Sequence, residues 1–130
     1  MSLSRDDILK ADDIQIEEVE VPEWGGTLFV KGMTGTERDA FETSIVETRG
    51  KNSRVNMKNI RAKLAIHSIC DEKGKTIFTA KDVEVLGNKS AAALQRVFDV
   101  ASRLSGISDK DVEELAEGLE ESPFEDSPSD

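Results

Sequence analysis

The local architecture of this chain is set by residues 21–42, which read VPEWGGTLFVKGMTGTERDAFE. Pro22 and the pair Gly25 and Gly26 separate two β-like runs, so this stretch predicts a hairpin. Two more glycines then lead into Thr36, whose hydroxyl can accept a hydrogen bond from a free amide of the first helical turn. The stretch therefore predicts strand, turn, strand and helix in succession, and it supplies no nucleophile or phosphate-binding loop.

The apolar residues of the first predicted strand do not all fall on one face. Ile14 and Ile16 fall on one face of a regular strand, whereas Val19 and Val21 fall on the other. Because side chains alternate along a strand, both pairs can face the core only if the pairing is interrupted. We therefore expect a bulge or break at residues 17–18.

Helical periodicity and capping residues predict the rest of a globular domain over residues 1–107. Its fold class is α+β and predominantly helical, with an N-terminal β-hairpin packed on a bundle of about four to five helices. Thr79 and Asp82 have the spacing of a capping box. The expected elements are the hairpin 13–31, a short strand 76–78, a loop 50–54, and helices at about 36–49, 56–70, 79–86 and 90–105. The helix 56–70 is apolar on several sides and should be the buried central one.

The acidic charge of the chain is concentrated at one end. The formal net charge is -10, and residues 108–130 contain ten acidic residues and one lysine. We predict an acidic amphipathic helix over residues 108–120, and a disordered acidic tail over residues 121–130. The apolar stripe of that helix consists of Val112, Leu115, Ala116 and Leu119. A helix of this length is marginal in water, so it needs a surface on which to dock.

A run of cations, here called the basic belt, lies in the middle of the chain. It consists of Arg49, Lys51, Arg54, Lys58, Arg61 and Lys63, with no acidic residue between Glu47 and Asp71. One interpretation is a solvated loop and the polar side of a helix. The alternative is a partner-binding site in which Arg49, Lys51, Arg54 and Lys58 attract an acidic surface. The acidic helix could then dock on a client helix, on a neighbouring copy near the belt, or back on its own domain.

The chemistry-bearing residues favour a protein that is not an enzyme. Cys70 is the only cysteine and His67 the only histidine, so neither a disulfide nor a metal site is expected. The run 87–90 echoes a phosphate-binding loop but lacks its other glycines. The belt has no aromatic residue for base stacking, which argues against nucleic acid. Neither a membrane span nor a signal peptide is evident, so we expect a cytosolic protein without a cofactor.

The order of these features resembles that of the tail assembly chaperones of long-tailed, siphovirus-type bacteriophages. The resemblance spans roughly residues 14–107. It is carried by the Trp-Gly-Gly turn at 24–26, the alternating strand after it, the helix opening at 34–39 with Phe41 inside, the run 69–75 leading into 77–78, the stretch 82–87, and the long helix ending at 104–106.

The resemblance implies a non-catalytic chaperone of virion morphogenesis. Such a protein would bind the tape measure protein and help to recruit tail tube subunits in the cytoplasm of the infected bacterial host. It would self-associate into open or ring-like oligomers and bind neither nucleic acid nor membrane. An alternative hypothesis is a small acidic regulatory or inhibitor protein that occupies a basic, nucleic-acid-binding surface of its partner.

Overall fold

The computed structural model describes residues 2–49 and 52–107, and these residues form α-helices and β-strands in mixed order. Two single 3-10 turns, Pro22–Trp24 and Ala80–Asp82, stand between regular elements. In chain order the regular elements are α1 (Arg5–Lys10), β1 (Ile16–Val21), β2 (Gly26–Lys31), α2 (Gly35–Ser44), β3 (Val46–Arg49), β4 (Asn52–Val55), α3 (Ile60–Ser68), β5 (Ile69–Cys70), α4 (Val83–Gly87) and α5 (Ala91–Leu104).

Strands β1, β2 and β5 form one antiparallel sheet with β2 in the middle. The β1–β2 pairing runs without interruption from Ile16 opposite Lys31 to Val21 opposite Gly26. The predicted hairpin is therefore present. Strand β5 was not predicted, and it joins the sheet because Cys70 pairs with Phe29 at the other edge of β2.

The prediction of a bulge or break at residues 17–18 is wrong. Strand β1 keeps a regular register in which Val19 and Val21 face the core, with 9% and 0% of their surface exposed. Ile16 points the other way and is 40% exposed. Helix α5 covers only one face of this strand. The strand therefore buries Val19 and Val21 on that face and leaves Ile16 on the opposite one.

The cap of helix α2 lies two residues before the expected one. The N-cap is Thr34, whose Oγ1 accepts the N–H of Glu37 at 3.1 Å, while the Glu37 carboxylate accepts the N–H of Thr34 at 2.9 Å. This is a complete capping box. Thr36, the residue predicted as the cap, lies inside the first turn.

The predicted helix 36–49 and loop 50–54 are wrong at their shared boundary. Helix α2 ends at Ser44, and the chain then forms β3 and β4, which pair from Val46 opposite Val55 to Arg49 opposite Asn52. Val46 is exposed and does not continue the apolar stripe of Phe41 and Ile45, both buried. The β-branched residues at 46, 48 and 55 favour strand, and pairing between the two segments satisfies their backbone groups.

Helix α3 is the central buried helix, as predicted, but it is shorter than 56–70. Asn59 precedes it in the left-handed conformation with φ of 60°, and its last predicted residues belong to β5. Ile69 turns to an extended conformation because it pairs with β2. The residues of α3 that are buried are Ile60, Ala62, Leu64, Ala65, Ile66 and Ser68.

In the C-terminal half of the domain, the structure confirms the two predicted helix caps. Thr79 and Asp82 form the expected capping box, although the first turn is 3-10 and α4 proper starts at Val83. Ser90 caps α5, because its Oγ accepts the N–H of Ala93 at 3.2 Å. Buried residues on α5 include Leu94, Val97 and Ala101, which complete the core against α3 and the sheet.

The α+β class is confirmed, with five α-helices and a three-stranded N-terminal sheet among the described residues. The predicted helix 108–120 and tail 121–130 lie outside these residues. Within residues 2–49 and 52–107, no helix has both the length and the apolar character that crossing a bilayer requires.

Candidate functional site

An open groove of about 560 Å³ lies between α2, α3 and residues 76–84. Its floor is largely apolar, and lysines and amides stand at its edges. The residues that line it are Ala40, Ser44, Asn56, Lys58, Asn59, Lys63, Ile66, His67, Thr76, Phe78, Thr79, Ala80, Val83 and Glu84. We call this surface the α2–α3 groove.

The groove exists because small side chains of α2 face a long row on α3. Ala40 and Ser44 are one helical turn apart, so both lie on the same side of α2 and leave space above α3. Lys63 crosses this space, and its Nζ donates to the carbonyl of Ser44 at 3.1 Å. The contact joins the two helices at the end of the groove where β3 begins.

The charge of the groove comes mainly from its lysines. Lys58 is exposed at one end, where its backbone N–H donates to the Asn56 side chain at 2.9 Å. Burial lowers the pKa of His67, against the opposing effect of the Glu37 carboxylate, so this imidazole is neutral at neutral pH. Among the lining residues only Glu84 carries a negative charge. The groove can therefore accept an apolar, acidic segment.

The structure divides the predicted partner-binding residues. Lys58 lines the groove, whereas Arg49 and Arg54 belong to the β3–β4 hairpin that leaves the groove after Ser44. Lys51, Val112, Leu115, Ala116 and Leu119 lie outside the described residues.

Arg61, another member of the basic belt, faces a different part of the fold. Its guanidinium carbon lies 5.8 Å from the centre of the Phe98 ring, and its Nε donates to Gln95 on α5. Arg61 thus stabilises the α3–α5 contact, and the belt is not one continuous surface.

The apolar floor of the groove was missed by the sequence interpretation. Residues 76–78 were predicted as a short strand, but the structure shows only a single bridge between Thr76 and Cys70, and Ile77 is 57% exposed. Phe78 instead turns toward the groove and packs against the core. The spacing of Lys63, Ile66 and His67 marks one face of α3, yet no local signal places Phe78 beside that face.

A second apolar pocket, of about 340 Å³, adjoins the groove through Phe78. Trp24, Val85 and Leu86 also line it, and Val85 is 66% exposed. The two concave surfaces together expose aromatic and aliphatic side chains of the 76–86 segment. Such exposed apolar surface is typical of protein-binding sites.

Nothing in the described part of the chain resembles a metal centre. No group of three or more His, Cys, Asp or Glu side chains is close enough to hold an ion among residues 2–49 and 52–107. Cys70 is a buried free thiol, and burial raises its pKa, which keeps it protonated and unreactive. The arrangement is suited to binding a protein through its surface.

Comparisons with known proteins identify a family of chaperones, which agrees with a protein-binding surface. The sequence model of the phage tail assembly chaperone family matches residues 7–118. Among solved structures, the chain is similar to the tail assembly chaperone of bacteriophage HK97, with a TM-score of 0.54 and 17% sequence identity. That match covers 76% of this chain and 94% of the other. A search of curated proteins found no match.

Proposed function

The chain belongs to the phage tail assembly chaperone family, and on this premise we propose that it binds the tape measure protein and helps to recruit tail tube subunits around it. The proposed role is non-catalytic and is performed in the cytoplasm of the infected bacterial host. Family membership favours this role over the alternative of an acidic inhibitor that occupies a nucleic-acid-binding surface.

The observation that carries the proposal is the family match over residues 7–118, which includes nearly all of the described chain. The α2–α3 groove supports it physically. A groove with an apolar floor formed by Ile66, Phe78 and Val83 suits the apolar face of a client helix, which is a common mode of peptide recognition. Lysines at the edges would select for acidic residues beside that face.

We also propose that the chaperone self-associates into open or ring-like oligomers. The contact surfaces would be the apolar stripe of the acidic helix, formed by Val112, Leu115, Ala116 and Leu119, and four residues of the basic belt, Arg49, Lys51, Arg54 and Lys58. Two different surfaces on one chain make a head-to-tail contact, which continues as a spiral or closes as a ring. Because exposed charges are screened by salt, sedimentation should show smaller assemblies as the salt concentration rises from low to moderate levels.

Co-expression with the tape measure protein of the same phage tests the main proposal. The tape measure protein should remain soluble and co-purify with the full chain. The double variant Lys58→Glu/Lys63→Glu should reduce the amount recovered, since it reverses the charge of the groove. A matched control, Lys10→Glu/Lys73→Glu, changes the same number of charges outside the groove and should recover the normal amount. Failure of the unmodified chain to retain the tape measure protein would contradict the proposal.

A further inference from the structure

We propose that residues 108–120 lie in the α2–α3 groove of their own chain. The free chaperone then covers the groove with its acidic segment, and any protein that binds there must first displace it. This occupancy concerns the isolated chain, so it goes beyond the proposed function and does not depend on which client the chaperone binds.

The apolar surfaces of the segment and the groove are complementary. Val112, Leu115, Ala116 and Leu119 have the spacing i, i+3, i+4 and i+7, which puts them on one face of a helix. The floor of the groove offers Ala40, Ile66, Phe78 and Val83 to such a face. Burial of this stripe would stabilise a helix that is marginal by itself and is weakened further by Gly118.

The charges of the two surfaces are also complementary. Residues 108–120 contain six carboxylates and one lysine. The groove presents Lys58 and Lys63 against a single carboxylate, Glu84, and its His67 is neutral at neutral pH. An acidic helix is therefore attracted to this groove.

The described fold ends beside the start of α2, the helix that forms one wall of the groove. Ser105 accepts the N–H of Met33 at 2.8 Å, so the end of α5 is held beside the start of α2. Along α2, Ala40 lies five residues after Gly35, the first residue of the helix, which corresponds to roughly 8 Å. The five residues from Ile107 to Val112 can span up to about 17 Å.

The lengths match along the groove as well. As a helix, Val112 to Leu119 would extend about 10 Å, and the part of α3 from its first residue Ile60 to the lining residue His67 also extends about 10 Å. A tethered segment that can reach a site has a high effective concentration there, typically in the millimolar range. Its own groove is therefore favoured over the groove of another copy at low protein concentration.

Cross-linking of the full chain tests this inference. Cys70→Ala removes the native thiol, and the pair Ser44→Cys and Ala116→Cys places one thiol at the groove and one on the stripe. With a short bismaleimide at low micromolar concentration, we expect a cross-link within the monomer, identified by mass spectrometry. The matched control pairs Ala116→Cys with Lys89→Cys, an exposed position outside the groove, and should yield at least fivefold less.

Charge reversal provides the second measurement. Lys58→Glu/Lys63→Glu should lower the yield of the Ser44–Ala116 cross-link at least threefold, whereas Lys10→Glu/Lys73→Glu should leave it unchanged. Cross-linked dimers without the intramolecular product would place the segment in another copy and overturn the inference. So would a yield no greater than that of the Lys89 control. A failed tape measure pull-down with a normal cross-link would contradict only the proposed function.

Discussion

The ammonium of Lys31 donates a hydrogen bond to the carboxylate of Glu37, and this ion pair joins strand β2 to the first turn of helix α2. The Lys31 side chain is 6% exposed and that of Glu37 is 27% exposed. Burial by itself would raise the pKa of Glu37, but hydrogen bonds from Lys31 and from the backbone of Thr34 hold it below its usual value. The Glu37 carboxylate is therefore charged at neutral pH, and its pair with Lys31 holds the sheet against the helix that forms one wall of the groove.

Glu37→Gln should destabilise the fold by about 3 kcal/mol, because it leaves a buried ammonium without its counter-charge. Glutamine still serves in a capping box, so the loss reports mainly on the ion pair. Urea unfolding at pH 7 measures it. The double variant Lys31→Met/Glu37→Gln removes the buried charge as well and should recover at least half of the lost stability. A single variant as stable as the unmodified protein would show that the pair contributes nothing.

Gly32→Ala should cost about 2 kcal/mol or more through steric overlap. A Cβ at this position would lie 2.6 Å from the backbone carbonyl oxygen of Leu104, which is held in the last turn of α5 and cannot move aside cheaply. Gly35→Ala is the matched control, since a Cβ there meets nothing within 4 Å. Thermal unfolding followed by circular dichroism should show a clear loss for the first variant and little change for the second. Equal effects would refute the close approach.

Two threonines distinguish the observed cap of α2 from the one that sequence inspection suggested. Thr34→Ala removes the acceptor for the Glu37 amide and should cost about 1 kcal/mol. Thr36→Ala lies within the helix, where alanine has the higher propensity, so stability should stay the same or rise slightly. Urea unfolding of the two single variants gives the comparison. The opposite order of stability would mean that the helix begins at Thr36.

His67 should make stability depend on pH in the range where no other side chain normally titrates. Burial lowers the pKa of His67 in the folded protein. The unfolded chain therefore takes up a proton first as the pH falls through about 6.5, and stability decreases from pH 7.5 toward pH 5.5. His67→Gln should flatten this dependence, whatever its effect at a single pH. Unfolding free energies at the two pH values, at constant ionic strength, test the slope. An equal slope in both proteins would assign the effect to other groups.

The elements that were predicted well are those whose signals are local. The Thr79–Asp82 capping box, the Ser90 cap and the apolar spacing of Leu94, Val97 and Ala101 each depend on residues within a few positions of one another. The hairpin around Pro22 and the Gly25–Gly26 pair has the same character. Local hydrogen bonds and side-chain periodicity suffice to specify such elements.

The errors concern elements whose stability comes from distant partners. Val46 to Arg49 contain no glycine or proline that would end a helix, and they become a strand because a second segment, Asn52 to Val55, pairs with them. Ile69 and Cys70 leave α3 because the free edge of β2 accepts them. Backbone groups that find partners across the fold override the weak preferences of a short segment.

By itself, the sequence determined the α+β class, the caps at Thr79 and Ser90, the central position of α3 and the separation of an acidic end from a nearly neutral body. Only the tertiary structure decided which face of β1 is buried, where α2 ends, and how the basic belt is divided between the α2–α3 groove and the α3–α5 contact. The physical reason is that capping and periodicity act between near neighbours. A groove, in contrast, is formed by side chains as far apart in the chain as Ala40 and Phe78, which only the packing of the whole domain brings together.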